Sequence, residues 1–256
     1  MRQYFHSGKL GDIVFSLPSC FELGCRTYNL IDQGQPDFWS YSPGVIAPLL
    51  ERQGLEVRVH RGGGVVVAGK DWINGDVFRG RSYGRVTRPD GRPWNLAERH
   101  CLALGVSCER CTRAWLACDA KRVAAYVFCR SARYRPAAES VDWRAMVDEA
   151  KGDAVFLGGV DEHAAFETEY GVSVAYYATR DYLEAAEVIA GADLTVANQT
   201  GLGAVAAGLW APLVLERCES IDCCVFGRPG EFLGSDQLLR WRHGRGRWPD
   251  DQKVVR

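Results

Sequence analysis

The sequence lacks several features that would assign it quickly to a common class of protein. It has no apolar run approaching the roughly 20 residues that a membrane-spanning helix needs. The stretch from Met1 to Lys9 carries no apolar segment of the kind found in a secretory signal. The chain also lacks an excess of charge, because 31 basic and 32 acidic residues leave a net charge of -1. We therefore expect a cytoplasmic protein without a transmembrane segment and without strong non-specific attraction to nucleic acid.

The remaining composition is that of an ordinary soluble globular protein. Apolar residues make up 47% of the chain and charged residues 25%. A chain of 256 residues has room for one large domain or two smaller ones, each with its own core.

Cysteine is unusually frequent, with ten residues. In a cytoplasmic chain the default is a set of buried thiols and not a disulfide framework. One group of four contains a Cys-x-x-Cys pair, and four thiolates could hold a structural zinc. Its outer spacings differ from those of a zinc ribbon or knuckle, and one member falls inside a predicted helix. The sequence therefore argues against zinc on these four residues, which are Cys101, Cys108, Cys111 and Cys118.

The most informative stretch runs from Leu194 to Leu209. It predicts a short apolar strand, a polar turn (Asn198-Gln199-Thr200-Gly201) and a helix rich in Ala and Gly. The start of a helix offers unpaired N–H groups and a partial positive charge, which suit a phosphate or a carboxylate. The next strand ends in Glu216, which could bind a ribose. The alternative is a strand–helix junction whose glycines serve packing alone.

Two further segments carry candidate chemistry. Three arginines and a serine follow the apolar strand predicted at 123–129, and their planar guanidinium groups suit phosphate oxygens unless the segment is a solvated basic loop. Asp12 stands at the start of a helix predicted for 13–23, where a carboxylate serves as a cap or as a general base in a cleft. Residues 71–93 show no sustained period, which predicts either a binding loop or a partly ordered surface loop.

Strand and helix patterns alternate along both halves of the chain, which predicts an α/β protein with parallel sheets. We expect a first domain at 1–120, a second at 121–237, and a returning helix with a basic tail at 238–256. The first half is expected to include strands at 65–68 and 114–118, and residues 218–233 are expected to be mostly irregular.

With both halves interpreted in this way, the chain resembles the glycosyltransferase family 9 (heptosyltransferase-like) group. The resemblance rests on Gly-Lys-Leu-Gly-Asp-Ile-Val-Phe-Ser-Leu-Pro at 8–18, on Leu-Gly-Gly-Val-Asp-Glu at 157–162, and on the segment from Tyr182 to Pro212. It implies a GT-B architecture, in which two Rossmann-like domains with parallel sheets face each other across a cleft. It also implies a metal-independent inverting glycosyltransferase without a cofactor, whose second domain binds a nucleotide-sugar donor and whose first domain binds the acceptor.

Carried over residue by residue, the resemblance implies that Asp12 is the catalytic base. The residues implied to bind the donor are Gly11, Arg130, Ser131, Arg133, Gly158, Asn198, Gln199, Thr200, Gly201 and Glu216. Lys9, Asp71, Trp72, Arg79 and Arg81 are the candidates for acceptor binding.

The chain departs from the family pattern at the polar turn. There the family commonly has Asp-Ser/Thr-Gly followed by a His, whereas this chain has Asn198, an additional Gln199 and no following His. Two alternatives therefore stay open: a non-catalytic GT-B-like protein that binds a nucleotide or glycan, and an NAD-type dinucleotide-binding protein. The acceptor is equally open among a saccharide, a lipid-linked glycan, a protein side chain and a hydroxymethylated base in DNA.

Overall fold

The structure is a computed structural model that describes residues 2–32, 43–61, 71–76, 93–132, 140–218 and 222–242. The chain divides into two compact units, one formed by 1–119 with 179–187 and the other by 120–178 with 188–256. Each unit contains its own parallel sheet. The predicted mixed α/β class with parallel sheets is confirmed. No helix in the described part of the chain is both long enough and apolar enough to cross a membrane.

The first unit is built on a four-stranded sheet in the order β3-β2-β1-β4, with every neighbouring pair parallel. Its strands are β1 (Gln3–His6), β2 (Thr27–Asp32), β3 (Glu56–Arg61) and β4 (Trp72–Asn74). Its helices are α1 (Leu10–Glu22), α2 (Ala47–Arg52) and α3 (Leu96–Ala103). Because β1 is flanked by β2 and β4, the carboxyl ends of these three strands lie at one edge of the sheet.

Helix α1 continues through Pro18, and the structure shows how the missing hydrogen bond is replaced. Proline has no N–H to donate to the carbonyl of the residue four positions earlier. That residue is Val14, and its carbonyl oxygen accepts a hydrogen bond from the indole Nε1 of Trp115 at 3.2 Å. A side chain from outside the helix thus satisfies a buried carbonyl that the helix itself leaves without a partner.

Two secondary-structure expectations for the first half are wrong. Residues 114–118 form no strand, because this segment is held by side chains: Trp115 donates to Val14, and the Ala117 N–H donates to Gln53 Oε1 at 2.9 Å. The interval 71–93 is not irregular throughout, because Trp72–Asn74 pairs with β1 as the edge strand β4. The strand expected at 65–68 lies outside the described residues.

The second unit contains a six-stranded sheet. Its strands are β5 (Tyr126–Cys129), β6 (Ala154–Phe156), β7 (Ala175–Tyr176), β8 (Leu194–Asn198), β9 (Leu213–Glu216) and β10 (Glu231–Phe232). The accompanying helices are α4 (Trp143–Glu149), α5 (Val160–Tyr170), α7 (Gly201–Gly208) and α8 (Ser235–Arg242). Helix α6 (Tyr182–Gly191) is divided between the units, since its residues up to 187 belong to the first. The described part of 218–233 is mostly irregular, as expected, apart from a 3-10 turn at 222–224 and the two-residue strand β10. Helix α8 overlaps the start of the segment in which a helix is expected from 238, and the tail from 243 onward lies outside the described residues.

The strand order β10-β9-β8-β5-β6-β7 is that of a doubly wound dinucleotide fold. In such a sheet the second and third strands lie on one side of the first strand, and the fourth to sixth strands lie on its other side. The switch point in this unit therefore lies between β5 and β8, which pair in register from Tyr126–Leu194 to Cys129–Ala197. A core of aromatic side chains, including Phe128, Trp143 and Phe166, packs on this sheet. Ligands of such folds bind outside the carboxyl ends of the strands at the switch point.

Candidate functional site

The side chain of Asn198 links the ends of β5 and β8 at the switch point of the second unit. Its Oδ1 accepts a hydrogen bond from the Ser131 N–H at 3.2 Å, and its Nδ2 donates to the Ser131 carbonyl oxygen at 2.9 Å. Asn198 ends β8 and is buried, whereas Ser131 follows β5 and is half-buried. The structure therefore brings together two residues that the sequence assigned to donor binding from segments 67 positions apart.

The next residue, Gln199, makes the corresponding link on the other side of β8. Its Oε1 accepts the N–H of Cys218, just beyond β9, at 3.2 Å. Consecutive amide side chains thus tie the end of β8 to the ends of both neighbouring strands. Gln199, the additional residue relative to the family pattern, therefore has a structural function.

Helix α7 begins directly after this pair. Thr200 is the N-cap, and its Oγ1 accepts the Gly203 N–H at 3.1 Å. A Cβ on Gly203 would lie 2.7 Å from the Asn198 carbonyl oxygen, so the helix packs on its own strand only with glycine there. The N–H groups of Gly201 and Leu202 are the first two of the helix, which has no acceptor for them within itself. They form the part of this turn that suits an anion.

Arg130 and Glu216 lie at the ends of β5 and β9 and take part in a buried polar network. The Arg130 guanidinium bonds to Glu169 at 3.0 and 3.4 Å, and its Nε lies 3.5 Å from Glu216 Oε2. The rings of Trp143 and Tyr170 are 5.6 and 4.8 Å from its central carbon. Trp143 Nε1 also donates to Glu216 Oε1 at 2.9 Å. With Arg130 6% exposed and Glu216 0% exposed, both charges have partners inside the unit.

Gly158 lies at the carboxyl end of β6, in the turn that precedes α5. Its φ is 149°, and a Cβ there would come within 2.8 Å of the Glu162 carboxylate and 3.0 Å of the Phe156 ring. Glu162 Oε2 accepts the Gly159 N–H at 2.8 Å, which closes the first turn of the helix. Burial raises the pKa of Glu162, and this hydrogen bond opposes the increase.

In the first unit, Asp12 lies in the first turn of α1, immediately after the loop that follows β1. Its Oδ2 accepts the N–H of Lys9, the N-cap residue, at 3.3 Å. Asp12 is half-buried, as are Lys9 and Gly11. Asp12 thus caps the helix, and a carboxylate is also the type of side chain that serves as a general base.

The other predicted acceptor residues are only partly described. Asp71 is exposed just before β4. Trp72 is half-buried in β4, and its ring lies 5.9 Å from that of Phe5 and 6.2 Å from that of His60. Arg79 and Arg81, like Arg133 of the donor set, lie outside the described residues.

Sequence reasoning missed a polar cluster beside Asp12, formed by His6, Ser7 and Asp76. Asp76 follows β4, and its Oδ2 accepts both the N–H of Ser7 at 2.9 Å and its hydroxyl at 2.5 Å. Its Oδ1 is 3.1 Å from His6 Nδ1. The available signal was the dipeptide Gly75-Asp76, which also occurs as Gly11-Asp12.

None of the ten cysteines forms a disulfide; six are buried and four are half-buried. Cys101 and Cys111 approach each other with their sulfurs 3.8 Å apart. Among the residues that the structure describes, no group of three or more His, Cys, Asp or Glu side chains is arranged to hold a metal ion.

The fold and the switch point define a class, namely α/β proteins with a doubly wound parallel sheet. More specifically, the fold is that of the family 9 heptosyltransferases. It is similar to the dodecameric iron-containing heptosyltransferase TibC of enterotoxigenic E. coli, solved in complex with ADP-D-beta-D-heptose, at a TM-score of 0.57 and 14% identity. This match covers 91% of the present chain but only 62% of TibC.

Two further solved structures agree. The E. coli heptosyltransferase WaaC with ADP-2-deoxy-2-fluoro heptose matches with a TM-score of 0.57 and 12% identity, over 96% of this chain and 100% of that one. A family 9 glycosyltransferase from Veillonella parvula matches with a TM-score of 0.50 and 14% identity, over 83% and 79% of the two chains. No protein-family model and no curated protein sequence matches the chain. At these identities the comparison establishes the fold, and the structural neighbours are glycosyltransferases.

Proposed function

We propose that the protein is a metal-independent inverting glycosyltransferase, which transfers a hexosyl- or heptosyl-type sugar from a nucleotide-diphosphate donor to an acceptor hydroxyl. The observation that carries this proposal is the second unit's switch point, where β5, β8 and the start of α7 converge in a fold shared with heptosyltransferases. TibC and WaaC were both solved with ADP-linked heptoses, which supports a nucleotide-sugar donor for this chain.

On the donor side, we assign the diphosphate to the turn formed by Ser131 and residues 199–201. Gly201 and Leu202 begin α7, so their N–H groups form the positive end of the helix dipole at this turn. Charge that builds up on the leaving diphosphate is stabilised there by oriented dipoles, which do not reorganise during the reaction. The Asn198–Ser131 clamp fixes the two strand ends that form the turn.

On the acceptor side, we assign the general base to Asp12. Its carboxylate would take the proton from the acceptor hydroxyl while that oxygen attacks the anomeric carbon. The bond from this carbon to the diphosphate oxygen then breaks, the configuration inverts, and the nucleoside diphosphate leaves with the electron pair. Lys9, Asp71 and Trp72, together with Arg79 and Arg81, remain our candidates for holding the acceptor, whose identity stays open among glycans, lipid-linked sugars and modified DNA.

The positions of Arg130 and Glu216 refine the donor proposal. Arg130 forms ion pairs with Glu169 and Glu216. We therefore assign it a structural function first, which is to fix the end of β5 next to the proposed donor turn. A direct contact with phosphate would require the guanidinium to share or leave these carboxylates. Gly158 lies in the β6–α5 turn at the same edge of the sheet, where the lack of a side chain leaves room for Glu162 and Phe156.

One alternative function is favoured by a specific observation. Asn198 replaces the family's carboxylate, and both polar atoms of its side chain are engaged by Ser131, which suits a binding protein without catalysis. The NAD-type interpretation is weaker, because Gly201 and Gly203 follow the fourth strand of the unit and not the first. The packing of Gly203 on Asn198 also accounts for one of these glycines without a ligand.

The test is incubation of the purified protein with ADP-, GDP- and UDP-sugars, with release of nucleoside diphosphate as the readout. We expect slow hydrolysis of one donor class even without acceptor, and selective thermal stabilisation by the matching nucleoside diphosphate. Stabilisation without any release or transfer would support the binding protein instead. Stabilisation by NADH alone would support the dinucleotide interpretation.

A further inference from the structure

The cluster of His6, Ser7 and Asp76 has no part in the function proposed above, yet it lies directly before the helix that carries Asp12. Strands β1 and β4 pair from Gln3–Trp72 to Phe5–Asn74, so the residues that follow them leave the sheet side by side. Gly75 makes the close approach possible, because a Cβ there would lie 2.9 Å from both the His6 ring and the Phe5 carbonyl oxygen. The sheet therefore delivers Asp76 to the loop between β1 and α1.

Three consecutive backbone N–H groups of this loop donate to three different side chains. The Ser7 N–H donates to Asp76 Oδ2 at 2.9 Å, the Gly8 N–H to His6 Nδ1 at 2.7 Å, and the Lys9 N–H to Asp12 Oδ2 at 3.3 Å. Successive N–H groups in a turn can form a concave binding site for an anion. Here side chains of the protein itself accept these hydrogen bonds. The bonds therefore hold the loop in place, and the loop does not serve as a phosphate-binding site.

Asp76 and His6 are themselves well fixed. His6 is 1% exposed, and its ring lies 5.6 Å from that of His100 on α3. The Asp76 N–H donates to Asn74 Oδ1 at 2.8 Å, which fixes the start of the turn that carries the carboxylate. Oδ2 of that carboxylate accepts from Ser7, whereas Oδ1 lies 3.1 Å from His6 Nδ1, the nitrogen that accepts the Gly8 N–H. Residues from two strands thus hold the loop that leads into α1.

We propose that Asp76 is a positioning residue, which holds the loop from Ser7 to Lys9 and thereby sets the placement of Asp12. The effect on catalysis rests on the proposed function, whereas the effect on the loop does not. A catalytic base must be held close to its productive position, since small displacements lower the rate steeply without abolishing binding. Asp76 acts on the reaction only through this loop.

The experiment compares wild type with Asp76→Ala, Asp76→Asn and Ser7→Ala, using the full chain. Asp119→Ala is the matched control, because this aspartate belongs to the same unit and its side chain is 83% exposed in an ion pair with Arg52. Two readouts are taken: NMR-detected hydrogen exchange of the amides of residues 7–9, and kcat, KM and donor Kd for sugar transfer. The exchange readout needs no activity, so it separates the two proposals.

We expect Asp76→Ala to speed amide exchange in the loop by at least about 10-fold and to lower kcat by a similar factor, with donor Kd unchanged. Asp76→Asn should recover part of both effects, because its amide oxygen can still accept the Ser7 N–H. Ser7→Ala should have an intermediate effect, and Asp119→Ala none. If Asp76→Ala does not fold, the other two variants decide the matter in the same way.

Wild-type exchange rates in the loop of the folded Asp76 variants would overturn the proposal, whatever the activity. Faster exchange with unchanged kcat would also overturn it, because the loop would then not set the placement of the base. Faster exchange in a protein whose wild type transfers no sugar would leave the loop contact established and would refute the proposed function instead.

Discussion

Asn198 and Ser131 exchange two hydrogen bonds across the switch point of the second unit, in which the side-chain amide accepts from the backbone N–H and donates to the backbone carbonyl oxygen of the same residue. Only an amide side chain can make this pair, because a carboxylate would place a second acceptor against the Ser131 carbonyl oxygen. The asparagine that departs from the family pattern is therefore a fitted part of this fold.

The first prediction follows from this pair. Asn198→Asp should destabilise the protein by about 1–3 kcal/mol, because the buried Ser131 carbonyl loses its donor and faces a charge. Chemical denaturation of both proteins at neutral pH measures the difference. Gln199→Glu is a useful comparison, since Gln199 uses only its carbonyl oxygen as an acceptor in its bond to Cys218 and should lose less. Equal stability of wild type and Asn198→Asp would contradict the clamp.

A second prediction separates a structural function of Arg130 from ligand binding. Arg130→Met leaves the buried Glu216 without its nearby cation, which should destabilise the fold by roughly 3–5 kcal/mol. Glu169→Gln should have a smaller effect, because the Glu169 side chain is 25% exposed. Denaturation midpoints and donor affinity are both measured. A variant at Arg130 that keeps its stability but loses donor affinity would show that the arginine serves the ligand directly.

The indole of Trp115 should matter because Pro18 interrupts α1. Trp115→Phe removes the donor to the Val14 carbonyl and should cost about 1–3 kcal/mol in the wild-type background. In a Pro18→Ala background the helix supplies its own N–H, so the same substitution should cost less. A double-mutant cycle on unfolding free energies measures this coupling. Equal costs in the two backgrounds would refute the compensation.

Glu162 should give the stability of the protein a specific pH dependence. Burial raises its pKa above the ordinary carboxyl value, so the folded protein holds the proton more tightly than the unfolded chain. The contribution of Glu162 to stability must then increase as the pH falls through the raised pKa. The unfolding midpoint of wild type relative to Glu162→Gln should therefore shift in favour of wild type as the pH is lowered from neutral toward the ordinary carboxyl pKa. A difference that does not change with pH would contradict this.

Much of the fold could be predicted from local sequence patterns, and the failures have physical causes. The apolar runs at β5 and β8 and the glycine-containing turn before α7 are strong local signals. The two-residue strand β10 and the three-residue strand β4 are too short to show a period, and pairing with their neighbours defines them. Residues 114–118 have the apolar content of a strand, but the Trp115 side chain bonds to the backbone of α1, and the Ala117 N–H bonds to the Gln53 side chain.

The candidate site shows the same division. The resemblance implied that Ser131 and Asn198 belong to one donor site, and these two residues are hydrogen-bonded to each other in the structure. The engagement of Arg130 with Glu169 and Glu216 could not be predicted, because it depends on the packing of α5 against the sheet. Nor could the Asp76–Ser7 contact, which depends on an edge strand that the sequence does not reveal.

The most direct test of the account is the effect of Asp12→Asn on sugar transfer. Asparagine can still accept the Lys9 N–H and cap α1, so Asp12→Asn removes the base but keeps the cap. Asp12→Ala would remove both. We predict that donor Kd is unchanged while the rate of transfer falls by at least about 100-fold, the usual contribution of a general base. Transfer by Asp12→Asn at a near-normal rate would contradict the assignment of Asp12 and the mechanism built on it.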